Sequence, residues 1–182
     1  MYAINIILQS IWLILPAYIA NASAVLLGGG IPMDFNKKWR GKPIFGKGKT
    51  WRGFFGGGLT GVIVGMIMNF FHESFGGRYA FLILVSISFG ALIGDLMESF
   101  VKRRIGKLRG EKWIIADQID FVLGAFLFSY LASVLLQPYM NENWFLNNFT
   151  IWHILFLLLF TPILHLATNI SAYLLKLKKV PW

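Results

Sequence analysis

Apolar and polar positions divide the chain into five long apolar runs, at about 4–28, 54–71, 79–101, 117–137 and 151–175, with polar segments between them. Roughly 20 apolar residues are needed for a helix to cross the hydrocarbon core of a bilayer, and each run is near that length. The pattern predicts an all-α polytopic membrane bundle of five transmembrane helices, forming one integral-membrane domain over residues 1–182. Gly53, Gly57, Gly61 and Gly65 recur every four residues along the second run, a spacing that lets helix backbones approach closely. The second helix is therefore expected inside the bundle, and the same small residues would leave a lateral groove for a lipid chain. Gly90 and Gly94 repeat the device on the third run. Pro16 and Pro162 are expected to kink the first and fifth helices, where neighbouring groups can satisfy the carbonyls they free.

Composition agrees, because 57% hydrophobic residues against 14% charged ones is too apolar for a water-facing surface. The formal charge of +9 is concentrated rather than spread. Segment 29–53 holds Lys37, Lys38, Arg40, Lys42, Lys47, Lys49 and Arg52; segment 102–116 holds Lys102, Arg103, Arg104, Lys107, Arg109 and Lys112; the tail adds Lys176, Lys178 and Lys179. Segment 72–78 has only Arg78, and 138–150 has no basic residue. Lysine and arginine collect in cytoplasmic loops, so the N-terminus is expected outside and the C-terminus in the cytoplasm, in a multi-pass protein of the cell membrane. Trp144 and Trp152 would then mark the outer interface, and Trp51, Trp113 and Trp182 the inner one. Such basic patches attract anionic head groups and phosphates. With no cysteine, thiolate nucleophiles, zinc–thiolate clusters and disulfides are excluded. His72, His153 and His165 have no spacing that gathers them into a site.

The third run ends in Gly94-Asp95-Leu96-Met97-Glu98-Ser99-Phe100-Val101-Lys102-Arg103, and a helix places residues 95, 98, 99, 102 and 103 on one face. Asp95 lies about two turns inside the span. A charge at the centre of a span costs roughly 2.5–3.5 kcal/mol on insertion scales, so such a side chain needs a wet cavity or a partner. An Asp95–Arg pair or a Glu98–Lys102 pair is the purely structural reading. The fourth run opens with Asp117-Gln118-Ile119-Asp120, whose carboxylates are neighbours on one helix face. Helix capping is an alternative for Asp117, but it does not account for Asp120 a turn further in. The third helix runs inward and the fourth outward, so all four carboxylates meet on the cytoplasmic side. Oxygen ligands without histidine or cysteine suit magnesium, which favours carboxylates with substrate phosphates and water. A small transporter or channel subunit with an intramembrane cation site is the alternative on these residues alone.

The first basic loop carries Gly46-Lys47-Gly48-Lys49-Thr50-Trp51-Arg52-Gly53. It is not expected to be a Walker A motif, because Pro43 stands where that motif needs its first glycine and no strand is expected ahead of it. Its glycines can still bring backbone amides to a phosphate, Lys47, Lys49 and Arg52 can neutralise it, and Trp51 can stack on a base or anchor at the interface. An anchor for anionic lipid is the other use of such a loop.

Gly94-Asp95-Leu96, Glu98-Ser99, Lys102-Arg103 and Gly106, followed by Asp117, Ile119 and Asp120, resemble the signature of the CTP:phosphatidate cytidylyltransferases. Asp34-Phe35, Gly41-Lys42 and Gly48 to Gly53 look more like its archaeal branch, the CDP-archaeol synthases. Residues 108–116 lack the lysine–aspartate pair and glycine-rich run of the bacterial pattern, and Gln118 replaces its arginine. The resemblance implies cytidylyl transfer from CTP to a prenylated glycerol phosphate, 2,3-di-O-geranylgeranylglycerol 1-phosphate, giving CDP-archaeol and pyrophosphate with magnesium as cofactor. Carried over position by position, it implies catalytic roles for Asp95, Glu98, Ser99, Lys102, Arg103, Asp117 and Asp120. Asp95, Asp117 and Asp120 would be the metal ligands, with Glu98 as a further or supporting carboxylate. Lys49, Thr50, Trp51 and Arg52, joined by Lys47, Lys102 and Arg103 on charge, would bind substrate.

Overall fold

The computed structural model describes residues 2–75, 77–107, 111, 113 and 116–174. Arg109, Lys112, the tail lysines and Trp182 lie outside the described residues. Helix α1 spans Tyr2–Leu26, α2 Trp51–Met68, α3 His72–Phe75, α4 Phe81–Arg104, α5 Ala116–Met140, α6 Trp144–Asn148 and α7 Ile151–Leu174. Of these, α1, α2, α4 and α5 are long and apolar enough to cross a membrane, and Ile151–Ala167 of α7 is a shorter apolar helix. The chain is thus a polytopic helical membrane protein. Pro16 and Pro162 lie inside α1 and α7, as does Pro138 near the end of α5.

The expectation of helices alone is corrected in the first basic loop. Lys38–Trp39 and Lys42–Pro43 form a two-stranded antiparallel hairpin, β1 and β2. Arg40 and Gly41 both adopt positive φ, as a two-residue hairpin turn demands. Helix α2 also starts earlier than expected, because Thr50 caps it: the Thr50 hydroxyl oxygen accepts the Gly53 amide at 3.2 Å.

Glycines govern how closely the spans meet. A methyl group at Gly53 or Gly61 would lie 2.6 Å from the carbonyl oxygens of Ala24 and Pro16, so α1 rests directly on the glycine stripe of α2. That stripe is filled by backbone, which overturns the expectation of a lipid groove there. The α4–α5 crossing is as tight: a methyl at Gly94 would strike the Asp120 carbonyl, and one at Gly124 the Gly90 carbonyl. This close approach sets Asp95 of α4 beside Asp120 of α5.

The core is one cluster of Ile14, Ile83, Leu84, Ile87, Phe121, Val122 and Leu157 with their neighbours, drawn from α1, α4, α5 and α7. Tyr18 crosses from α1 to hydrogen-bond Thr161 of α7 at 2.7 Å and lies against the Phe121 ring. Trp144, expected to face a membrane interface, is turned into the bundle. It is 3% exposed, donates its indole N–H to the Arg78 carbonyl at 2.7 Å, and packs with Tyr79 and Phe149 to close that end of the bundle.

Candidate active site

Opposite that aromatic end, a cavity of about 640 Å³ opens between the first basic loop, the last turns of α4 and the first turn of α5. Lys47, Lys49, Asp95, Glu98, Ser99, Lys102, Arg103, Asp117 and Asp120 all line it. These residues come from three segments far apart in the chain.

Carboxylates and cations interlock across the cavity. Lys49 reaches both oxygens of Asp95, at 2.6 and 2.5 Å. Lys102, 8% exposed, stands between Asp117 at 2.6 Å and Glu98 at 3.5 Å. The i,i+4 pair foreseen as a structural alternative is therefore present, within the lining of the cavity. Asp120 has no ion pair among the described residues; one of its oxygens accepts the Phe121 amide at 2.7 Å. Asp117 reaches back from the start of α5, accepting the Trp113 amide at 3.2 Å as well as Lys102.

Asp95, Glu98 and Asp120 each offer an oxygen, and these three oxygens lie within 4.8 Å of one another. Glu98 Oε1 and Asp117 Oδ1 are buried without a hydrogen bond, Glu98 Oε1 facing the Lys102 ammonium at 3.5 Å. Buried anionic oxygens short of hydrogen bonds are costly, and a hard divalent cation held by carboxylates would remove that cost. The donor set, oxygen only, fits magnesium. The grouped carboxylates differ from the expected ligand set in one member, with Glu98 inside the trio and Asp117 turned to Lys102. Arg103 Nε is also buried without a hydrogen-bond partner, and Gly46 lies over it.

A family model described as CarS-like, CDP-archaeol synthase, matches residues 3–182. The chain belongs to the CDP-archaeol synthase family. It is 44% identical to the CDP-archaeol synthase of Pyrococcus abyssi over 181 residues, covering 98% of this chain and 99% of that one. The CDP-archaeol synthase of Thermococcus gammatolerans is 43% identical, with both chains covered in full. A solved structure of an intramembrane enzyme for archaeal membrane lipids biosynthesis superimposes with a TM-score of 0.71 at 34% identity, over 88% of this chain and 92% of that one. The membership agrees with the motifs around Asp95 and Asp117.

Within this CDP-archaeol synthase fold, three expected substrate residues do not line the larger cavity. Thr50 caps α2 and lines a second cavity of about 290 Å³, which shares Lys47, Gly48, Lys49 and Asp95 with the first. Trp51 lines neither cavity and stacks on Phe55 at 5.8 Å. Arg52 also lies outside both, donating to the Leu27 and Gly28 carbonyls at 2.8 and 2.5 Å and so closing the C-terminal end of α1.

Two residues emerge that charge and spacing did not single out. Arg104 fastens the hairpin to α4, donating to the carbonyls of Trp39, Lys42 and Pro43 while its guanidinium lies over the Trp39 and Phe100 rings. Asp34, quoted only as part of a motif, is 4% exposed and accepts the amides of Asn36, Phe45 and Gly46 at 2.9, 3.1 and 2.8 Å. Burial alone would raise its carboxyl, but these amides outweigh it and hold Asp34 below the usual carboxylate range. Only a search for acidic residues ahead of a glycine-lysine loop would have marked it.

Proposed function

We propose that this chain transfers the cytidylyl group of CTP to 2,3-di-O-geranylgeranylglycerol 1-phosphate, giving CDP-archaeol and pyrophosphate. Besides the family, one observation carries this reading: a cavity at the end of two spans joins a carboxylate trio fit for a cation to Lys47, Lys49, Lys102 and Arg103. The reaction brings two polyanions together, which asks for that combination of charges.

An ionised oxygen of the lipid phosphate attacks the α-phosphorus of CTP. A new P–O bond forms, the bond to the β-phosphate breaks, and its electron pair leaves with pyrophosphate. No general base is required. Asp95, Glu98 and Asp120 would hold magnesium, with Asp117 supporting through Lys102; the ion supplies charge neutralisation and Lewis-acid polarisation of phosphoryl oxygens. Lys49, paired with Asp95 on the cavity wall, would turn its ammonium to the triphosphate. Lys102 and Arg103 stabilise charge as it develops on the leaving group. Ser99, 5% exposed and lining the cavity, has a hydroxyl available to a phosphate oxygen. Thr50, Trp51 and Arg52 hold the loop and the ends of α1 and α2 in place.

The lysine and arginine bias supports a cytoplasmic cavity, with the N-terminus outside and the C-terminus inside. CTP then arrives from water and the prenyl chains remain in the bilayer. An apolar groove between α4 and α5, lined by Met97, Val101, Leu123 and Leu127, reaches Glu98 and Asp120 and suits those chains.

Purified protein incubated with labelled CTP, magnesium and the lipid phosphate should yield a labelled nucleotide that partitions into organic solvent. Label remaining wholly aqueous, with the protein folded and the lipid dispersed, would refute the activity.

A further inference from the structure

The acidic residue with the most complete set of backbone partners stands outside the cavity. Asp34 lines neither the larger nor the second cavity, yet its Oδ2 receives the amides of Phe45 and Gly46, the residues leading into Gly46-Lys47-Gly48-Lys49 on the cavity rim. Its Oδ1 takes the Asn36 amide, closing the turn in which Phe35 and Asn36 hold positive φ. Further bonds brace the same loop: Met33 N–H to the Lys49 carbonyl at 2.8 Å, Trp51 N–H to the Ile31 carbonyl at 3.1 Å, and Lys49 N–H to the Gly46 carbonyl at 3.2 Å. Gly46 itself has φ +95, a conformation glycine tolerates and other residues rarely adopt.

The amides of Phe45, Gly46 and Lys49 are thereby consumed inside the loop. Those of Lys47 and Gly48 make no hydrogen bond among the described residues, and both residues line both cavities. Consecutive free amides next to a glycine of positive φ are the ingredients of an anion-binding nest. A buried carboxylate that takes the preceding amides decides which ones remain free.

We infer that Asp34 is a positioning residue that shapes residues 46–49 into a cradle for the triphosphate of the nucleotide. This rests on the proposed cytidylyl transfer and extends it to a residue that does not meet substrate. Phosphate binding needs the loop's shape, whereas lipid binding does not.

The test uses the full chain in detergent, with inorganic tripolyphosphate as competitor. Asp34→Ala should raise the KM for CTP and the inhibition constant of tripolyphosphate by about tenfold, because charge-assisted bonds to the loop are lost. The KM for lipid phosphate and kcat at saturating CTP should stay within about twofold. Asp34→Asn, which keeps one good acceptor, should recover part of the loss. If the alanine variant does not survive purification, a raised tripolyphosphate constant in Asp34→Asn at unchanged melting temperature supports the same role. Unchanged tripolyphosphate inhibition in the purified variants would overturn it, as would a joint fall of kcat and both affinities that asparagine does not relieve. Should the wild type form no organic-soluble nucleotide, the parent activity fails, and calorimetry still decides Asp34: weaker tripolyphosphate binding in the variant upholds the cradle, equal binding refutes it.

Discussion

At one end of the bundle Trp144, Phe145 and Phe149 pack together beside α5 and α7, and three hydroxyls of those two helices turn back on their own backbone. Ser129 and Ser133 donate to the Ala125 and Ser129 carbonyls at 2.6 Å, and Thr161 to the Leu157 carbonyl at the same distance. At the other end the same helices carry Asp95, Glu98, Lys102, Asp117 and Asp120 around a cavity of about 640 Å³. The first end is packed with aromatic rings. The second holds carboxylate oxygens without hydrogen bonds and cations in reach of an anion. A cation conduit would need charged or free polar groups continuing from one end to the other, whereas the grouped carboxylates lie at one end and Ser129 and Ser133 are committed to backbone carbonyls. The contrast favours a one-sided reaction chamber over the transporter alternative.

The comparison predicts that changes at the two ends separate stability from turnover. Asp120→Asn should lower turnover about a thousandfold, on the scale of removing a group that organises transition-state charge. Its melting temperature in detergent should hold, since no ion pair is broken among the described residues. Trp144→Ala should do the reverse, costing about 4 kcal/mol of stability as a buried indole is deleted, while the folded fraction keeps its kcat. Gly124→Val sits between the ends and should damage both. Its added methyl groups meet the Gly90 and Gly94 backbone, costing about 2 kcal/mol and separating Asp95 from Asp120. Thr50→Ala, which removes a helix cap, should cost about 1 kcal/mol and change turnover little. Thermal melts and the CTP-to-organic-phase assay, run on the same preparations, check all four.

What could be read without coordinates follows from how local each signal is. Apolar runs, the glycine spacing of α2 and the i,i+3 carboxylate pairs depend on nearby residues, and the helices and the gathered acidic groups match them. Partner choice between helices is not local. Nothing near Asp117 says that Lys102, fifteen residues earlier, will take its oxygen at 2.6 Å and leave Glu98 to complete the trio with Asp95 and Asp120. Arg52 looked like a phosphate ligand because it sits in a basic loop, yet the open carbonyls at the end of α1 capture it. Trp144 looked like a belt residue because it borders a span, yet α6 folds it inward onto Tyr79 and Phe149. The hairpin was hidden because its strands are two residues each and its anchor, Arg104, comes from another helix.

The claim beneath all of this is that carboxylates from α4 and α5 hold a divalent cation where two phosphates meet. Manganese binding, followed by electron paramagnetic resonance in the presence of CTP, tests it without relying on turnover. Wild-type protein should retain the ion, and Asp120→Asn should bind it at least about tenfold more weakly. Equal manganese affinity in wild type, Asp95→Asn and Asp120→Asn would contradict the assignment.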